Sequence, residues 1–400
     1  MRFLFLHPNF PAQFRDLAVA LAADPRHEVV FGTAAENGKL PGVTKVLFKP
    51  RRTTSEKTHH YVRNLEAAAL QGQAAARMAG GLKAKGFIPD VIYGHSGWGS
   101  MLFMKDVFPR TPLLGYFEWY YHAHGTDADF DPAEPMTLDD EARLRMKNAP
   151  ILLDLSTCDG GTCPTEWQHQ QFPAEYRAKL HVVHDGIDTS YFKPSPGARL
   201  VLPRIGLNLS TATEIVTYVA RGMEPYRGFP QFIEAMQLVL EQRPQCHVVI
   251  VGENRVAYGK QLPKGESHKQ RMLEKFPLPA DRVHFTGLLP YAEYVAVLQA
   301  SSAHVYLTRP FVLSWSALEA MACGCLVIAS DTAPVREAIE DGVNGLLVDF
   351  FSAKQIAARV TEALTGDFTS IRAKARATIE QRYSSTEFLP RRIAWLVRFV

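Results

Sequence analysis

The chain has 400 residues, 46% of them hydrophobic and 21% charged, enough apolar material for two ordinary cores and a soluble globular protein. Its 44 basic and 41 acidic residues leave a formal net charge of +3, too small for a nucleic-acid-binding surface, and the short basic cluster Lys49-Pro50-Arg51-Arg52 reads as a solvated loop. Five cysteines, with the pairs Cys158/Cys163 and Cys323/Cys325 spaced for neither a zinc site nor a CxxC motif, point to reduced thiols in a cytoplasmic setting.

In chain order, the apolar stretch of MRFLFLHPNF is too short for a signal peptide or a membrane span and is predicted to be the first buried strand. Further runs follow at EVVFGT (28–33), PDVIYGH (89–95), TPLLGYF (111–117) and LHVVHDG (180–186), with helical patterns between them. Strands alternating with helices predict parallel sheets of βαβ units covered on both faces. The stretch HDGIDTSYFKPSPGARLVLPRIGLNLS is rich in Gly, Pro and Ser and is expected to be irregular, with a domain boundary near Pro194.

The pattern then starts afresh. EIVTYVAR (214–221) leads into a helix whose apolar positions Phe229, Phe232, Ile233, Met236 and Leu240 form one stripe. CHVVIVG, RVHFTG, AHVYLT and CLVIAS supply more strands. The tail RYSSTEFLPRRIAWLVRFV (382–400) is a candidate helix returning to the first domain, with Pro390 marking the break. The expected domains are 1–194, 195–381 and this tail.

Residues 303–330, AHVYLTRPFVLSWSALEAMACGCLVIAS, carry the strongest chemical signal. A helix opening at Ser316 beyond a parallel strand would offer unpaired N–H groups and a positive dipole end to a phosphate. Ser316-x-x-Glu319 also fits a capping box, which needs no ligand. The loop VARGMEPYRG (219–228) holds Arg221 and Arg227, suited to a leaving diphosphate. His95 follows a strand, with Gly97 and Gly99 permitting close backbone approach. Asp127, Asp129 and Asp131 match D-x-D, a metal-diphosphate pattern, but they lie in a polar loop that reads as solvated.

The segment LEAMACGCLVIAS (318–330) resembles the donor-binding signature of the retaining GT-B glycosyltransferases of family four, an E-x7-E pattern whose first Glu falls at position 311, here Phe311. HDGIDTSYFKP is similar to the family's NGVDxxxFxP segment, and Arg221 and Arg227, six residues apart, resemble the Arg and Lys of its GRxxxxKG, with one more residue between them and Arg in place of Lys. The resemblance implies a GT-B fold, two Rossmann-like domains facing across a cleft, with donor in the second and acceptor in the first. It implies a retaining glycosyltransferase moving a sugar from a nucleoside-diphosphate sugar to a glycan or lipid-linked hydroxyl acceptor, without cofactor or required metal. Contact with the inner face of a membrane would suit a lipid-linked acceptor, and the oligomeric state is not legible.

By the same resemblance, Glu319 accepts from the ribose hydroxyls, while Leu313, Ser314, Trp315 and Ser316 contact the nucleotide and Gly287 and Leu288 lie beside the base. Phe311 and Val312 border the donor sugar. His95 matches an HxH-type segment, Glu118 stands where relatives carry a His that touches the sugar, and His122 and His124 follow closely. Two other readings use the same fold: a nucleotide-sugar 2-epimerase, and a sugar-nucleotide-binding protein that has lost turnover with the Glu at 311.

Overall fold

The computed structural model describes all 400 residues, and the chain divides into two compact units, Met1–Gly186 with Thr386–Val400, and Ile187–Ser385. The first passage lies at Gly186/Ile187 instead of near Pro194, because Ile187 and Phe192 are buried in the second unit's core.

In the first unit seven strands form one parallel sheet: β1 (Arg2–Leu6), β2 (Glu28–Thr33), β3 (Val43–Leu47), β4 (Val91–His95), β5 (Leu113–Tyr116), β6 (Gly160–Cys163) and β7 (Leu180–Val182). Their order is β3-β2-β1-β4-β5-β6-β7. Phe3, Leu4, Phe5 and Leu6 are all buried, as expected where helices cover both faces of a parallel sheet. The 22-residue helix Arg63–Ala84 buries small residues, and a Cβ on Gly99 would stand 1.9 Å from the carbonyl oxygen of its Ala68. That clearance, with φ at +91°, fixes glycine at 99.

The helix Ser385–Val397 closes this unit. Trp395 and Leu396 pack among Phe5, Phe14, Tyr93 and Tyr116. The Arg392 guanidinium lies 3.6 Å from Asp185 Oδ1, both side chains being buried, and donates to the Gln13 carbonyl at 3.1 Å. Pro390 sits inside this helix and marks no break. The interruption falls earlier, at Tyr383 and Ser384, where the Ile187 amide donates to the Tyr383 carbonyl at 2.7 Å.

The second unit holds a six-stranded parallel sheet made of β10 (Glu214–Gly222), β11 (Cys246–Glu253), β12 (Val283–Gly287), β13 (Ala303–Tyr306), β14 (Val327–Ser330) and β15 (Leu346–Val348). Its order is β12-β11-β10-β13-β14-β15. The helix Phe229–Gln242 buries the expected stripe. The stretch expected to be irregular contains an antiparallel hairpin, β8 (Leu200–Leu202) and β9 (Leu207–Leu209). Leu200, Leu202 and Leu209 anchor it on Ile215 and Val249, and Gly206 turns it at φ +67°. All five cysteines are free and buried.

Candidate functional site

In the second unit the chemistry gathers where β10 and β13 end. Those strands are neighbours, so the loops after both leave the sheet side by side. The β10 loop folds into a short turn, Pro225–Arg227, that buries Arg227. Arg227 Nη1 donates to Thr308 Oγ1 at 2.7 Å, to the Tyr306 hydroxyl at 3.1 Å and to the Val312 carbonyl at 3.4 Å. The Tyr306 hydroxyl also accepts from the Ser314 amide at 2.8 Å. One phenol oxygen therefore ties the guanidinium to the start of the helix Trp315–Ala322.

That helix opens one residue earlier than expected. Its cap is Ser314, whose hydroxyl accepts from the Ser316 amide at 3.3 Å, and no Ser316/Glu319 box forms. The shift places Glu319 at the fifth helical position, too deep to reach back to the cap. It is 7% exposed and accepts a 2.6 Å hydrogen bond from the Tyr294 hydroxyl at Oε2. Burial pushes the Glu319 carboxyl up to about 7, partly opposed by the Tyr294 hydrogen bond. Burial and the Glu319 charge together hold Tyr294 well above an ordinary phenol. The amides of Ser314 and Ser316 are engaged within the chain, so positive charge here comes from Arg227 and the helix dipole.

Arg221 is exposed at the end of β10, apart from the buried network of Arg227. Between them Glu224, fully buried, accepts from the Tyr258 amide at 3.0 Å and from the Ala257 amide, holding the β11 loop against this turn. Burial raises the Glu224 carboxyl. Tyr258 in turn lies over Arg227, with 5.3 Å from guanidinium carbon to ring centroid. Phe311 is buried, edge-on to Tyr226 at 5.9 Å and to Tyr258 at 5.6 Å. Its ring is a packing element of the arginine loop. Val312 and Leu313 are buried beside it, and Trp315 packs against the core. Gly287 takes φ +68°, and the exposed Leu288 gives its carbonyl to Arg204 at 2.6 Å.

In the first unit β4 and β5 bring His95 and Glu118 together, His95 Nε2 lying 3.6 Å from Glu118 Oε2. Gln13 Nε2 donates to the other oxygen, Glu118 Oε1, at 3.1 Å. Asp154, fully buried, accepts from the Ser96 hydroxyl at 2.8 Å and the Gly97 amide at 3.1 Å, and burial pushes its carboxyl up to about 7. His122 and His124 are engaged by other parts of the first unit. His122 Nε2 meets the Gln171 carbonyl at 2.8 Å, and His124 stands between Asp129 and Glu141 at 3.3 and 3.2 Å. Asp129 is further engaged by the Gly125 amide.

Sequence reasoning missed Tyr294, Tyr306, Thr308, Glu224 and Asp154. Their partners lie far away in the chain or carry no motif, and only Glu224, inside the arginine loop, was within reach of a local reading.

Comparison with known proteins agrees with this architecture. Residues 25–192 match the family described as Glycosyl transferase family 4 group, and residues 205–382 match Glycosyl transferases group 1. A protein of Segniliparus rotundus named D-inositol 3-phosphate glycosyltransferase is 28% identical over 210 residues, 52% of this chain and 44% of that protein. One of the same name from Mycolicibacterium gilvum is 29% identical over 218 residues, 51% and 44% of the two chains. The matched region thus spans less than half the length of these relatives.

Among solved structures, Alr3699/HepE of Anabaena in complex with UDP-glucose aligns over 100% of both chains, with a TM-score of 0.71 and 17% identity. Sucrose-phosphate synthase of Thermosynechococcus elongatus gives 0.72 at 19% identity, over 100% of this chain and 98% of that one. At such identities the likeness speaks to the fold, two Rossmann-like halves of GT-B type.

Proposed function

We propose, from the premise that this chain belongs to the glycosyltransferases of group 1, that it moves a sugar from a nucleoside-diphosphate donor to a hydroxyl acceptor with retention at the anomeric carbon. The observation that carries the reading is the Tyr306 hydroxyl joining Arg227 to the start of the helix that holds Glu319. A cation and a positive helix end are thereby fixed together, with a carboxylate one turn further along. This is the charge pattern of a nucleoside diphosphate in reverse.

The ribose hydroxyls are both donors, and Glu319 meets them as an acceptor already held by Tyr294. The diphosphate gains negative charge as the glycosidic bond breaks, and a guanidinium fixed by Tyr306, Thr308 and Val312 stabilises that charge without reorganising. The exposed Arg221 adds a second cation. With retention, the acceptor hydroxyl attacks the face that the diphosphate leaves, and a phosphate oxygen takes its proton. The donor class is that of HepE, solved with UDP-glucose, and the acceptor is a polyol, glycan or lipid-linked saccharide, the first suggested by the relatives' names.

The test is incubation of the purified chain with UDP-, GDP- and ADP-hexoses, each with and without inositol phosphates and glycan acceptors. Nucleotide release and the anomeric configuration of the product are followed by NMR. Acceptor-dependent release of nucleoside diphosphate with a retained anomer supports the reading. Acceptor-free isomerisation would mark an epimerase. Saturable binding without turnover would mark the binding protein that Phe311, a ring in place of a carboxylate, favours.

A further inference from the structure

The edge of the second unit's sheet carries two histidines set end to end. His247 on β11 and His284 on β12 meet through Nδ1 and Nε2 at 3.1 Å. Their ring centroids are 5.4 Å apart and their planes differ by 21°, so the nitrogen separation plus the two nitrogen-to-centre distances accounts for the whole span. The rings lie nearly in one plane, each nitrogen aimed at the other. Such a contact is an N–H···N hydrogen bond and needs one proton between the rings. With both rings neutral, or with one protonated, that proton is present and the facing nitrogen accepts it. With both protonated, two N–H groups of like charge point at each other and the bond is lost.

Strand β12 has little else to hold it. It is the last strand of the sheet, its neighbour there is β11, and of its five residues only Val283 and Thr286 are buried. A shift in register interrupts the pairing after Ile250, and His284 stands before that shift, opposite Val249. The charges nearby are mostly committed elsewhere. Arg282 donates to the carbonyls of Leu240, Arg243 and Pro244, Glu214 is paired with Arg243, and Glu293 with Arg204. Lys269 lies over the Phe285 ring, 3.8 Å from its centroid. The β8–β9 hairpin, packed on Ile215 and Val249, brings leucines to this face, and Arg199 beside it donates to the Ser210 carbonyl. Burial lowers both imidazoles from their ordinary 6.5, helped by Arg282 at His247 and by His247 at His284, while the exposed Asp281 opposes it at both. The unfolded chain thus takes up these protons at higher pH than the fold, and this edge loses stability as pH falls below 6.5.

We infer that His247 and His284 are a proton-operated latch: sharing one proton they hold β12 to the sheet, and when both carry a proton they release it. The strand leads to the nucleotide site. After β12 ends at Gly287, a short loop enters the helix Tyr291–Gln299, whose Tyr294 amide donates to the Pro290 carbonyl at 2.9 Å and whose Tyr294 hydroxyl holds Glu319. Release of β12 therefore loosens the helix start that aims Tyr294, and acid weakens nucleotide binding. That coupling rests on the nucleotide reading of Glu319, whereas the latch rests on the histidine pair.

Hydrogen exchange of the full chain, corrected for intrinsic rates, is compared at pH 7.5 and pH 5 in the wild type, in His284→Gln and in His247→Asn. Gln sets an amide where Nε2 stood and Asn one where Nδ1 stood, so either variant keeps a neutral partner for the remaining ring and never places two charges in the gap. At pH 7.5 the protected amides of β12 should agree within threefold in all three proteins. At pH 5 the wild type should lose at least tenfold protection in β12 relative to β10, and the variants less than threefold. UDP titration reads the coupling: every protein loses affinity as Glu319 takes up its proton, and the wild type should lose at least threefold more than the variants. The inference is overturned if wild-type β12 stays as protected as β10 at pH 5, if the variants open as the wild type does, or if UDP affinity falls equally in all three. Failure of UDP to bind the wild type at pH 7.5 would instead sink the nucleotide reading, and exchange in β12 would still decide the latch.

Discussion

The Tyr294 hydroxyl donates a 2.6 Å hydrogen bond to Glu319 Oε2, from a helix that ends 16 residues before the helix of Glu319 begins. This bond aims a buried carboxylate. Tyr294→Phe should cost about 1 kcal/mol of stability, the net worth of a typical hydrogen bond, and lower nucleotide affinity several-fold. Thermal unfolding with and without nucleotide checks both parts. If nucleotide affinity is unchanged, Tyr294 serves only packing.

Stability should depend on pH through the same carboxylate. Burial raises Glu319 in the folded chain to about 7 from an ordinary 4.5. Between those values the folded protein keeps a proton that the unfolded chain has released, so stability falls as pH rises through the window and levels off above it. The loss from Glu319 is about 3 kcal/mol, and Asp154, raised to about 7 from 3.8, adds to it in the same direction. Glu319→Gln should flatten its share of the slope. Urea midpoints at pH 5 and pH 8 measure this; equal slopes in variant and wild type would show that Glu319 keeps its charge in the fold.

Arg227 and Arg221 should separate cleanly. Arg227 is buried with three acceptors, so Arg227→Ala strands those groups and should destabilise the chain by about 2–4 kcal/mol as well as lowering kcat. Arg221 is exposed, so Arg221→Ala should leave stability within about 0.5 kcal/mol and act on donor turnover alone. Denaturation and kinetics on both variants compare the two. An Arg227→Ala protein as stable as the wild type would contradict the buried network.

Much of this was legible in the sequence, and the losses have physical reasons. Long apolar runs such as RFLFLH and EIVTYVAR announced strands because both faces of a parallel sheet are buried. Strand β6 is GGTC, with too little side chain to register, and the β8–β9 hairpin hid in a stretch rich in Gly and Pro. The motif residues Arg227 and Glu319 stood out because their spacing is local. Tyr306, Tyr294 and Asp154 did not, since what makes them matter is the partner that tertiary packing brings within 3.1 Å.

Phe311 shows the limit from the other side. It was read as bordering the donor sugar, and in the structure its ring packs edge-on against Tyr226 and Tyr258. Phe311→Ala should therefore destabilise the second unit by about 3 kcal/mol, as truncation of a buried aromatic does. A chemical denaturation series checks it, and a variant within experimental error of the wild type would return Phe311 to the ligand.

The most direct measurement is calorimetric titration of UDP into the wild type and into Glu319→Gln at pH 8, where the wild-type carboxyl is ionised. The account expects saturable binding to the wild type and a loss of about 1.5–3 kcal/mol in the variant, the range for hydrogen bonds to a charged group. Equal UDP affinity in the two proteins would contradict it.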